Sequence, residues 1–253
     1  MTANCNCEGI RVWRGFRSER YQSKYNDFVK ILGNVFIPAT VQQMGPVGLQ
    51  AYFPALIPED TGNLPDEVAL VVYASAGSYS AATKSSVSGR AYGMLHGSVF
   101  NFSETSGRGR SSSNFPQLWA GALHEGQPYC LFNNTIDWHS GELRLSIAVL
   151  KINIPEHNIA QSINLWLNEH SETTLLDNVL FIIESGYILL WEHMPASTSD
   201  SLLDNLAHLT TSTVTKKKAE VTLADPVFSL NDNGIATDSH SFFDVRTSPI
   251  KSQ

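Results

Sequence analysis

Val68-Ala-Leu-Val-Val-Tyr-Ala74, preceded by Pro65-Asp66 and followed by Gly77-Ser78, is the stretch whose reading decides the fold. A β-branched run of this length between turn residues predicts a strand buried on both faces or nearly so. A helix is expected after it. Ser78 or Ser80 offers an N-cap oxygen to the first-turn amides. Val87, Ala91, Met94 or Leu95, and Val99 then recur at three- and four-residue spacing, a face suited to packing on the strand just left. Gly89, Gly93 and Gly97 cost this helix up to about 1 kcal/mol each, a cost that close packing would explain. Tyr92 and His96 lie four apart at the edge of the apolar face, within reach of one another. A phenol beside an imidazole makes them the leading acid/base or substrate-orienting pair of the chain.

Working outward, residues 10–16 carry the alternation Arg11-Val12-Trp13-Arg14 and predict a first strand with basic residues on one face. Tyr25, Phe28, Val29, Leu32, Val35 and Phe36 follow the helical period, and Pro38 should end or kink that helix. Residues 48–53 predict a second strand, stopped by Pro54 and Pro58. The order strand, helix, strand, strand, helix opens a split βαββαβ unit, with helices on one face of an antiparallel sheet. Residues 118–123 are the expected fourth strand. Before it, residues 103–114 form a polar, Gly- and Ser-rich loop in which Arg108 and Arg110 suit an anionic ligand.

This order resembles the ferredoxin-like, or dimeric α+β barrel, superfamily over roughly residues 8–125. The resemblance implies substrates, and in some families haem, bound between sheet and helices. It also implies oxygenase, isomerase or dehydratase activities, and either homo-oligomers or two copies in one chain. It is one of topology and assigns no residue a role.

The second half has the same style. Residues 118–124, 129–133 and 143–152 predict strands, the first two joined at Glu125-Gly126 by a hairpin-type turn. Pro155-Glu156 opens a helix with Ile159, Ile163, Trp166 and Leu167 as its stripe, and residues 179–183 and 187–191 form a hairpin across Ser185-Gly186. Residues 202–209 end it as a short helix. The chain is thus an α+β protein of two halves, 1–114 and 115–210, a tandem arrangement unmarked by any residue-level repeat. From 211 to 253 the composition turns to Thr, Ser, Asp, Asn and Lys, as in a polar tail, and the apolar islands at 221–223, 227–228 and 242–243 suit a strap across the surface.

A net charge of −7 opposes binding to nucleic acid or acidic membrane. The chain has no apolar run near the roughly 20 residues of a membrane span, and its first residues lack signal-peptide character, so a cytoplasmic protein is expected. Cys5, Cys7 and Cys130 form no disulfide framework. Asp238, His240 and Asp244 match no strong metal signature, and hydrolase, zinc-protease, P-loop and Rossmann motifs are absent. Glu192 and His193, adjacent in a strand, face opposite ways, whereas Trp191 shares a face with His193. The expected function is binding or turnover of a small apolar or aromatic molecule without nucleotide or metal. Tyr92, His96, Trp119 and His139 would close the cavity, and no cofactor is assigned. The alternative is an interaction protein that uses an exposed sheet or the C-terminal strap.

Overall fold

Strand β1 (Ile10–Gly15) lies antiparallel beside β3 (Glu67–Val72), with Trp13 opposite Ala69 and Gly15 opposite Glu67. The computed structural model describes residues 7–57, 64–103, 109–138, 141–170, 176, 178–184, 186–194, 201–216, 218–221, 223–224, 227–228 and 242–246, with backbone only from 212 onward. Between the two strands the chain forms α1 (Tyr25–Ile31), a π-helical stretch Leu32–Phe36, α2 (Ile37–Met44) and β2 (Ala51–Leu56). Pro38 neither ends nor breaks this helix. It sits in the first turn after the wide π segment, where its missing N–H costs little. Pro54 likewise stays inside β2, opposite Ala69 of β3.

After β3 come α3 (Ala76–Ser80), a π-helical stretch Ala81–Ser85, α4 (Val87–Val99) and β4 (Ser112–Asn114). The caps are Ser75, which accepts from the Ser78 amide, and Ser86, which accepts from that of Gly89; neither Ser78 nor Ser80 caps. The fourth strand therefore falls inside the stretch expected to be a loop, not at 118–123. The order β2-β3-β1-β4, antiparallel throughout, is that of the split βαββαβ unit. Arg11 and Arg14 lie on opposite faces, as their odd spacing dictates. Arg11 sits over the Tyr79 and Phe115 rings, and Arg14 reaches Asn114. A buried pair, Arg17 to Asp66 at 3.1 Å, anchors the entry to β3.

The packed face of α4 keeps Leu95 and Val99 of the expected stripe but not Val87, Ala91 or Met94. Val87 is 75% and Met94 80% exposed, whereas Gly89 and Val99 are buried and Tyr92, Leu95 and His96 pack against the core. The inward face carries glycine and polar-tipped rings, so hydropathy alone misplaces part of the stripe. A Cβ on Gly89 would lie 2.1 Å from the Ala82 carbonyl oxygen, so close packing explains that glycine; at Gly93 and Gly97 a Cβ meets nothing.

The second unit contains β5 (Gln117–Leu118), β6 (Tyr129–Cys130), β7 (Glu142–Leu150), α5 (Glu156–His170), β8 (Asn178–Glu184), β9 (Tyr187–Met194), α6 (Leu202–Leu206) and β10 (Thr210–Lys216). Its order β8-β9-β7-β10 repeats that of the first unit, again antiparallel. Ile159, Ile163 and Trp166 of α5 fill its core. Glu192 accepts from Ser201 and the Leu202 amide at the head of α6, while His193 packs on Trp138. The strands β5 and β6 run parallel, so the turn at Glu125-Gly126 does not join a hairpin.

Past β10 the chain forms β11 (Lys218–Val221), β12 (Leu223–Ala224), β13 (Val227–Phe228) and β14 (Phe242–Arg246). The strand β14 pairs antiparallel with β2, skipping Phe53 and Pro54, and β11 lies parallel to β14. In the second unit β6 pairs antiparallel with β8, and β5 lies parallel to β6. Each sheet is thus extended at the same edge, with the same strand senses, by the segment that follows the other unit's fourth strand. The polar stretch from 211 on contributes to both sheets. Of the candidate metal set, Asp238 and His240 lie outside the described residues, as does Cys5; Cys7 and Cys130 are buried. Among the described residues no helix is long and apolar enough to cross a membrane.

Candidate functional site

The pairing of β1, β2 and β3 puts Trp13, Tyr52, Glu67, Ala69 and Val71 on the face that α1, α2 and α4 cover. Glu67 is the one carboxylate among them, and it is fully buried. Trp13 stands two residue pairs away on the neighbouring strand, on the same face, so its indole reaches diagonally to Glu67, Nε1 to Oε2, 2.9 Å. Tyr52 donates from β2 to the other carboxylate oxygen at 2.5 Å. Gly15, directly opposite Glu67, makes room: a Cβ there would lie 2.7 Å from the Trp13 Nε1 and 2.6 Å from the Phe100 ring. Burial pushes the Glu67 carboxyl up to about 7, against the pull of its two hydrogen bonds.

The two residues that hold this carboxylate, Trp13 and Tyr52, also line a cavity of about 290 Å³, together with Phe36, Thr40, Tyr92 and His96 among others. The rings of Tyr92 and His96 meet edge to face with centroids 4.1 Å apart, and His96 stands edge-on to Phe36 at 4.8 Å and to Trp13 at 5.5 Å. Burial lowers the imidazole to about 4, so it is neutral near pH 7. Its Nδ1 lies 3.0 Å from the Tyr92 carbonyl oxygen, which can only accept; the proton is therefore on Nδ1, and Nε2 is left as an acceptor. The single hydrogen of Thr40 goes to the Phe36 carbonyl, so the 2.7 Å contact between Thr40 and Tyr92 is donated by the Tyr92 hydroxyl. Burial pushes this phenol, like that of Tyr52, well above its ordinary range.

The sequence-predicted site is divided by these facts. Tyr92 and His96 share the cavity. Trp119 does not line it; it belongs to the second unit, where Nε1 donates to Asn164 at 2.8 Å and the ring packs on Tyr129 and Phe181. Arg110 is exposed and does not line the cavity, and Arg108 and His139 lie outside the described residues. Glu67, Trp13, Tyr52 and Thr40 are what residue spacing misses, because strand register and helix packing bring them in from distant positions. A depression of about 440 Å³ along α5, lined by residues such as Glu156, His157 and Asn164, contains no comparable buried carboxyl. Among the described residues no three His, Cys, Asp or Glu side chains gather as metal ligands.

No family model matches the chain, and no curated protein matches it. Among solved structures it is similar to a putative monooxygenase from Lactobacillus acidophilus NCFM, with TM-score 0.39 and 9% identity over 82% of this chain and 90% of that one. It is similar to another from Fusobacterium nucleatum subsp. nucleatum ATCC 25586, with TM-score 0.39 and 12% identity over 81% and 88%. An anthrone oxidase-like protein matches with TM-score 0.29 and 7% identity over 82% and 89%.

Proposed function

We propose that the first unit binds a small aromatic molecule held between its sheet and its helices. The observation that carries this is the cavity of about 290 Å³, walled by aromatic rings and edged by a few fixed polar groups. That volume is at the lower end of the roughly 300–1,000 Å³ usual for small-molecule sites, enough for a fused bicyclic ring. Tyr92 and His96 orient the ligand here. A neutral imidazole locked by its own helix serves as a hydrogen-bond acceptor, not as a group that exchanges charge near pH 7.

Saturation-transfer NMR with 2-naphthol tests this reading. The wild-type protein should transfer magnetisation to the naphthol, and Tyr92→Phe and His96→Gln should each weaken binding by roughly ten-fold, about 1.4 kcal/mol. A ligand that binds equally well to both variants lies elsewhere and ends this assignment.

A further inference from the structure

Four polar groups of the cavity wall, on Tyr52, Tyr92, Thr40 and His96, have their hydrogens committed to protein acceptors. Tyr52 donates to Glu67, Tyr92 to Thr40, Thr40 to Phe36, and His96 Nδ1 to the Tyr92 carbonyl. What Tyr52, Tyr92 and His96 retain is lone pairs. Among the described residues no lysine or arginine lines the cavity. We propose that the cavity selects a neutral aromatic hydrogen-bond donor, a phenol over its ether or its phenolate, because Glu67 fixes the Tyr52 hydroxyl as an acceptor. This rests on the cavity reading and adds the polarity of the ligand to it.

The selecting device is the pair Tyr52–Glu67. An ionised carboxylate accepts only, so it holds the hydrogens of both Tyr52 and Trp13. Ether and carbonyl ligands would then set lone pair against lone pair, and a buried acceptor left unmatched lowers affinity substantially. Once Glu67 takes up a proton it donates to Tyr52, whose own hydrogen is then free to turn to the ligand, and the preference relaxes. The groups that act on Glu67 are Trp13 from β1, Tyr52 from β2 and, through space, Tyr92 from α4. The adjacent Asp66 is occupied by Arg17.

The probes are 2-naphthol, which is neutral across the range used, and 2-methoxynaphthalene, titrated against the whole chain at pH 8 and pH 5.5. At pH 8 the naphthol should bind at least ten-fold more tightly than the ether. Glu67→Gln, whose amide can donate to Tyr52, should shrink that ratio to under three-fold at both pH values by improving ether binding. Wild-type protein at pH 5.5 should behave like the variant. Tyr52→Phe serves as a second variant and should shrink the ratio by weakening the naphthol alone. A wild-type ratio near one at pH 8, or one that neither pH nor these substitutions change, overturns the proposal while leaving the cavity as a binding site. Failure of both probes to bind removes the cavity reading together with this one.

Discussion

Glu67 and His96 are buried in the same unit and respond to burial in opposite senses. A carboxyl raised to about 7 from 4.5 contributes stability that is present below the lower value and lost as pH rises through the upper one. An imidazole lowered to about 4 from 6.5 does the reverse: its contribution is present above 6.5 and lost as pH falls through 4. Ionising Glu67 therefore costs the fold on the order of 3 kcal/mol above pH 7. The variant Glu67→Gln should gain melting temperature relative to wild type at pH 8, with the gain shrinking toward pH 5. A constant offset across that range would mean that the carboxyl does not titrate there. The Tyr92–His96 pair was legible from its four-residue spacing, since a helix turns any such spacing into contact. Glu67 was not: nothing local separates it from Asp66, and its partners Trp13 and Tyr52 lie 54 and 15 residues away.

For whole elements, α4 shows how a sequence pattern can indicate a helix and still misplace its inner face. Val87 and Met94 make the stronger apolar stripe, yet the inward side is chosen by Gly89, which brings the helix against the Ala82 carbonyl, and by rings that carry a polar tip. Substitution separates the two faces. Met94→Gln should change stability by no more than about 0.5 kcal/mol, and Gly97→Ala, in open space, should stabilise the helix by up to about 1 kcal/mol. Gly89→Ala should destabilise the unit despite the better helix former, because the added Cβ meets backbone at 2.1 Å. Denaturant unfolding of the three variants measures all of this, and a stabilising Gly89→Ala would reverse the assignment of faces. Neither proline terminates its element, for a related reason. Pro38 and Pro54 break regular ladders, but a π turn before one and unpaired positions beside the other absorb the missing N–H.

In the molecule as a whole, two units carry the same six-strand arrangement, and each borrows its outer two strands from the segment beyond the other's fourth strand. The four-strand order of the first unit could be read from turn residues and hydrophobic runs because its connections are local. The strands the first unit borrows could not, since β11 and β14 are short and partly polar, β14 pairs with a strand more than 180 residues earlier, and β11 pairs with β14. Composition makes that stretch a tail, but its hydrogen bonds make it the edge of the first sheet. A chain ending at Lys217 should therefore lose stability in the first unit, although every deleted residue lies at the other end of the sequence. Removing β14 leaves β2 as an open edge with unpaired amides. Hydrogen exchange followed by mass spectrometry should show faster exchange in Ala51–Leu56 of the shortened chain, with Glu142–Leu150 and Tyr187–Met194 unchanged. Equal protection of Ala51–Leu56 in the full and shortened chains would mean that β14 adds nothing to the sheet, and the exchange of edges between the units would fall with it.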